Sequence, residues 1–161
     1  MQELPPYRAY ATIAGTFLAG LGAVRAVAAA RDRPLQEVSA IDLALLGLAT
    51  FKASRVVARD KVTSFVREPL VEGHAYDGDD EQPVQTGGMQ QALGELVTCT
   101  RCIGTWIGAG LASTQILAPR TGRLLTTVLA AAALNDFMLA GFKALTSKAD
   151  ELEQHTDDSS G

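Results

Sequence analysis

The stretch Ala9-Tyr-Ala-Thr-Ile-Ala-Gly-Thr-Phe-Leu-Ala-Gly-Leu-Gly-Ala-Val-Arg-Ala-Val-Ala-Ala-Ala30 runs 22 residues with one charge, Arg25, and no proline. At 1.5 Å per residue it is long enough to cross a hydrocarbon core of about 30 Å, so it reads as a membrane helix. A cleaved signal peptide is the rival reading. Arg8 alone makes a weak basic start and the apolar run exceeds a signal's short core, so a retained span is expected.

Three further apolar blocks follow. Ser39 to Ala58 opens on Ser39 as an N-cap and carries Asp42, Lys52 and Arg55. Ile103 to Pro119 is uncharged, and Cys102 and Thr100 extend it; Leu124 to Phe142 is interrupted by Asn135 and Asp136 and closed by Lys143. The expected fold is therefore all-α, an integral membrane four-helix bundle. Its spans cover about 9–30, 39–58, 102–119 and 124–143, with a polar loop over 59–98, all in one domain of residues 1–148. Residues 149–161 read as a disordered acidic tail. A soluble bundle is the alternative, and the lack of a polar stripe in the first and third blocks stands against it.

The chain has 161 residues, 14 Lys+Arg against 18 Asp+Glu, and a net charge of −4, so no basic footprint draws it to nucleic acid. Membrane lipid is the expected partner, together with a protein partner that the sequence does not identify. Small residues recur at every fourth position as Ala11, Gly15, Ala19 and Ala23, and again as Gly104, Gly108 and Ala112. Such spacing lets helix backbones approach closely, so the first and third spans are expected to pack on each other, and a homo-oligomer through these faces is allowed.

Charges inside a bilayer are costly unless paired, so their depths can be matched. Lys52 and Asp136 each lie six residues before the end of a span, about 9 Å below the same interface. Arg25 and Asp42 match near the opposite face. Two ion pairs are expected: Lys52 or Arg55 with Asp136, and Arg25 with Asp42. Basic residues near span ends outnumber those on the other side on the face holding both termini, which places the termini in the cytoplasm of a multi-pass cell-membrane protein.

Arg59-Asp-Lys-Val-Thr-Ser-Phe-Val-Arg-Glu-Pro-Leu70 spaces Val62, Phe65 and Val66 at i, i+3 and i+4, the pattern of a short helix in the membrane interface, with Pro69 ending it. The segment 72–90 reads as a mobile solvated loop. Cys99-Thr-Arg-Cys102 then opens the third span, and a helix N-terminus favours thiolate. Trp106 is expected to anchor at the interface. The cysteine pair supports three readings: a structural role with no cofactor, reversible thiol chemistry coupled to a quinone, or a share in a zinc site. Zinc needs two further ligands, from among His74, His155 and carboxylates or from a second chain.

Leu48 to Arg55, Asp60-Lys-Val-Thr63, Arg67-Glu-Pro69 and Gly94 through Cys102 to Trp106 together resemble the bacterial family catalogued as domain of unknown function 1360, over roughly residues 40–140. The resemblance implies a small multi-pass membrane protein and sets its shared features on Arg55, Asp60, Arg67, Pro69, Cys99, Cys102 and Trp106. It assigns no activity. The reading is a non-enzymatic membrane component in which Arg55, Asp60 and Arg67 form a charge network that locks the loop against the CxxC segment. The enzyme alternative is a membrane thiol-disulfide oxidoreductase acting through Cys99 and Cys102.

Overall fold

The computed structural model describes residues 5–32, 37–75 and 81–158, with side chains up to residue 149. Among the described residues the chain is all-α apart from one pair of two-residue strands. In order come α1 (Tyr7–Ala30), α2 (Ala40–Arg59), a 3-10 turn (Lys61–Thr63), α3 (Ser64–Arg67), a second 3-10 turn (Glu68–Leu70), β1 (Val71–Glu72), β2 (Gln82–Pro83), α4 (Met89–Thr98), α5 (Thr100–Leu117) and α6 (Pro119–Asp158). The strands pair antiparallel, Val71 with Pro83 and Glu72 with Gln82.

Helix α5 is the hub, with α1, α2, α4 and α6 packed around it and α2 lying along α6. The centre is built from Ala49, Leu111 and Ala130, with Leu45, Leu46, Ile107 and Leu129 against them. The small-residue face of α5 meets α2, not α1. A Cβ on Gly108 would lie 3.3 Å from the Thr50 hydroxyl and one on Gly104 3.1 Å from that of Ser54. The α1 stripe of Ala11, Gly15, Ala19 and Ala23 is exposed, because α1 turns the larger Ile13, Phe17 and Val24 inward together with Ala28. The first and third long helices, α1 and α5, do pack on each other as expected, but not through the two small-residue stripes.

Among the described residues, two helices are long and apolar enough to cross a membrane by length and composition, α1 and the Pro119–Ala149 portion of α6. Helix α2 falls short because it carries Asp42, Lys52, Arg55 and Arg59, and α5 because Arg101 and Gln115 join its many glycines and threonines. Ser39 does cap α2: its hydroxyl accepts the Asp42 N–H at 3.1 Å while the Asp42 carboxylate accepts the Ser39 N–H at 3.2 Å, a reciprocal capping box.

Two segments differ from the sequence reading. Helix α6 continues through Asp158 where a disordered tail was expected from 149, and the absence of Gly and Pro between Phe142 and Asp158 explains the continuation. Residues 159–161 and 76–80 lie outside the described residues. Within the polar loop, Val71, Ala75 and Glu81 are buried and Met89–Thr98 is helical. Gly94 makes that packing feasible. A Cβ there would sit 2.5 Å from the Leu70 carbonyl oxygen, so only a glycine lets α4 close on the turn before β1.

Candidate functional site

The polar chemistry of the loop collects on Arg67. It is the last residue of α3, in a run of helical turns that faces Val62, Phe65 and Val66 outward and Arg67 inward. Its side chain is 0% exposed, and its partner Glu81 is 1% exposed. Nε donates to one Glu81 carboxylate oxygen at 2.7 Å and Nη2 to the other at 2.8 Å, the bidentate fork that guanidinium geometry favours. Nη2 also donates to the Ala75 carbonyl at 3.2 Å. Nη1 donates to the Val57 carbonyl at 2.7 Å, the Asp60 carbonyl at 3.2 Å and the Thr63 hydroxyl at 3.1 Å.

Those acceptors come from three places: the end of α2, the turn that follows it, and both flanks of the strand pair. The Val57 carbonyl is left open because α2 ends there, and Asp60, in extended conformation, offers its carbonyl to the Thr63 N–H as well as to Arg67. A charged donor at a helix C-terminus also complements the dipole. Thr63 donates to the carbonyls of Asp60, at 2.9 Å, and Val56, which fixes the turn that delivers Arg67.

Beside this node Glu68 closes a second ring. One of its oxygens accepts the Ala75 N–H at 2.8 Å and the other meets His74 Nδ1 at 3.1 Å. His74, and after it the Ala75 N–H, hold the Glu68 carboxyl below its ordinary value of 4.5. Gln90 at the start of α4 donates to the Pro69 carbonyl at 2.8 Å. Further along α4, Glu95 accepts from Gln91 at 2.9 Å and from the Tyr10 hydroxyl, tying α1 to the same end of the molecule.

The α4 helix leads directly to Cys99, the N-cap of α5, whose sulfur accepts the Cys102 N–H at 3.3 Å. The two sulfurs are within disulfide-bonding distance, with Cα atoms 5.3 Å apart; Cys102 is exposed and Cys99 half-buried. Among the described residues no group of three or more His, Cys, Asp and Glu gathers, so the pair meets no further zinc ligand there; the side chain of His155 lies outside the described residues. Trp106 meets Phe17 edge to face, ring centroids 5.1 Å apart, on the seam between α1 and α5.

The charges named from sequence divide. Lys52 Nζ and Asp136 Oδ2 are 2.8 Å apart, and Phe51 stacks on Phe137 beside them with centroids 5.2 Å apart. Arg55 lies over the Phe51 ring at 5.8 Å and takes no part in the Arg67 node. Asp60 joins that node through its backbone carbonyl and not its carboxylate. Arg25 and Asp42 form no ion pair among the described residues: α1 leans on α4 and α5 rather than on α2, and the Asp42 carboxylate is occupied by Ser39. Glu81, the counter-ion of Arg67, was not singled out from sequence. Its signal is faint, since it sits at the end of an acidic run that composition assigns to solvent.

Residues 45–141 match the family described as protein of unknown function (DUF1360), a range that takes in the Arg67 node, the CxxC and the Lys52–Asp136 pair. A curated relative, sporulation protein YjcA of Bacillus subtilis (strain 168), is 26% identical over 103 residues, covering 60% of this chain and 86% of that protein. No solved structure matches. With its family's match covering most of the bundle, the chain belongs to the DUF1360 family.

Proposed function

We propose that this chain is a four-span membrane protein whose role is structural or interactive, a lipid-anchored platform that holds the 60–98 segment rigid for a protein partner. The observation that carries this reading is the inverted distribution of bulk. Most of the buried apolar positions are alanines, among them Ala28, Ala49, Ala58, Ala130 and Ala133, while Leu18, Ile41, Leu43, Leu124, Met138 and Phe142 point out. In water each large apolar side chain left outside forgoes about 1.5–3 kcal/mol. In hydrocarbon nothing is lost, and small interior residues let the helices approach closely.

The modest apolarity of α5 fits the same picture, since neighbours on four sides leave it little lipid to face. Val62 and Phe65, each 75% exposed, would rest among the headgroups on the loop side. All the N–H groups of Arg67 are spent inside the protein, which suits a lock better than a catalyst. The positive excess on the loop side supports cytoplasmic termini. The name of the Bacillus relative, a sporulation protein, extends the proposal to a membrane role in sporulation or an equivalent developmental programme. Alkaline carbonate extraction of cell membranes tests it. The chain is expected in the pellet, and recovery as a folded monomer in the supernatant would overturn the reading.

A second reading, a quinone-linked thiol oxidoreductase, draws on the exposed Cys102 and the closeness of its sulfur to that of Cys99. In that chemistry the dithiol gives two electrons and two protons to a quinone, leaving a disulfide and a quinol. Thiol trapping in cells separates the two: full alkylation of both cysteines under all growth conditions removes the redox reading.

A further inference from the structure

The Lys52–Asp136 pair has a feature that a self-contained ion pair lacks. Its side chains remain 22% and 38% exposed, on a face that also presents the stacked Phe51 and Phe137 and the guanidinium of Arg55. Lys52 lies seven residues before the end of α2, about 10 Å from it. Asp136 uses one carboxylate oxygen on Lys52, and among the described residues the other has no hydrogen bond; Lys52 Nζ likewise spends one of its three N–H groups. At that depth no water is at hand to take up the remainder, and ionisable groups in membranes turn toward protein rather than lipid.

A cation and an anion lying side by side on one face are self-complementary. A twofold axis along the membrane normal brings a second copy's Asp136 opposite Lys52 and its Lys52 opposite Asp136, so each open donor and acceptor meets its match. Resting on the four-span reading above, we propose that the α2–α6 face bearing Lys52, Asp136, Phe51 and Phe137 is the contact surface of a homodimer in the membrane. Four charges then close into one ring, and Arg55, one helical turn nearer the loop side, reaches the same ring from its edge. This surface is separate from the exposed small-residue stripe of α1.

The test uses the full chain in its native membrane, with Cys99→Ser and Cys102→Ser as background and a single new cysteine at Phe51 for copper-phenanthroline crosslinking. Phe51→Cys is expected to give a crosslinked dimer, and Leu18→Cys on the outer face of α1 is expected to give none. Lys52→Asp leaves two anions on the face and Asp136→Lys two cations, so either change alone is expected to lower the crosslinked fraction about tenfold. Co-expressing the two variants is expected to restore crosslinking between unlike chains, although neither chain retains an internal pair. That rescue reads the interchain contact directly.

Should the single variants fail to reach the membrane, Lys52→Gln with Asp136→Asn keeps the side-chain volumes, and its crosslinked fraction is expected to fall while the chain stays in the membrane pellet. Equal crosslinking at residues 18 and 51, no rescue on mixing membrane-inserted variants, or a Phe51→Cys chain that stays monomeric in the pellet would each overturn the dimer. A wild-type chain found in the carbonate supernatant would instead sink the four-span reading, so the two failures are distinguishable.

Discussion

Arg67 grips both carboxylate oxygens of Glu81, at 2.7 and 2.8 Å, across 14 positions of sequence, in a place that neither side chain shares with solvent. That single clasp joins the end of α2 to the far flank of the strand pair, and the 3-10 turns, α3 and β1 are held between them.

Removing both halves of the clasp should cost less than the two separate removals added together. Arg67→Met leaves a carboxylate buried without its counter-ion, and Glu81→Gln leaves a guanidinium so placed; a loss of about 3–5 kcal/mol is expected from either. Arg67→Met combined with Glu81→Leu should lose less than the sum of the singles, and Arg67→Lys should not rescue, because a point charge cannot fork. Thermal unfolding in detergent measures all four, and a single variant that melts like wild type would refute the lock.

The Glu68 ring should loosen in acid. Its folded pKa is depressed by His74 and the Ala75 N–H, so its contribution is fully present above the ordinary value of 4.5 and disappears as pH falls through the lower folded value. Protease sensitivity of the 68–75 turn is therefore expected to rise as pH drops below about 4.5. Glu68→Gln should be sensitive already at neutral pH, with a flat profile over the same range.

Two glycines should answer differently to one methyl group. Gly94→Ala drives a Cβ to 2.5 Å from the Leu70 carbonyl oxygen and is expected to destabilise by about 1–3 kcal/mol. Gly110→Ala meets nothing within 4 Å and should be neutral or stabilising by up to about 1 kcal/mol through helix propensity. Denaturation midpoints of the two variants in the same micelles decide the matter.

Cys99 has a task apart from redox chemistry, because its sulfur caps α5. Cys99→Ser keeps a good capping atom and should leave melting nearly unchanged, whereas Cys99→Ala is expected to cost about 0.5–2 kcal/mol. Equal melting of the two would show that the cap contributes nothing.

What the sequence made readable was mostly what periodicity and charge depth control. The apolar runs found the four long helices, Ser39 announced its cap, and counting turns from the span ends matched Lys52 with Asp136. Pairing across the chain was less accessible. Depth alone also matched Arg25 with Asp42, but depth says nothing of which helices are neighbours, and α1 sits against α4 and α5. Glu81 was hidden by its setting, since an acidic, glycine-rich run looks solvated whether or not one member turns inward. Helix α4 could have been found: Met89, Ala92, Leu93, Leu96 and Val97 recur at helical spacing inside a stretch whose composition reads as loop.

The edge-to-face contact of Trp106 with Phe17 has a practical consequence. The chain holds one tryptophan, so its ultraviolet emission comes from a single spot on the boundary between α5 and α1. Because α1 lies ahead of the family's matched range, that intrinsic fluorophore reports, without any label, whether the helix outside that range has docked against one inside it.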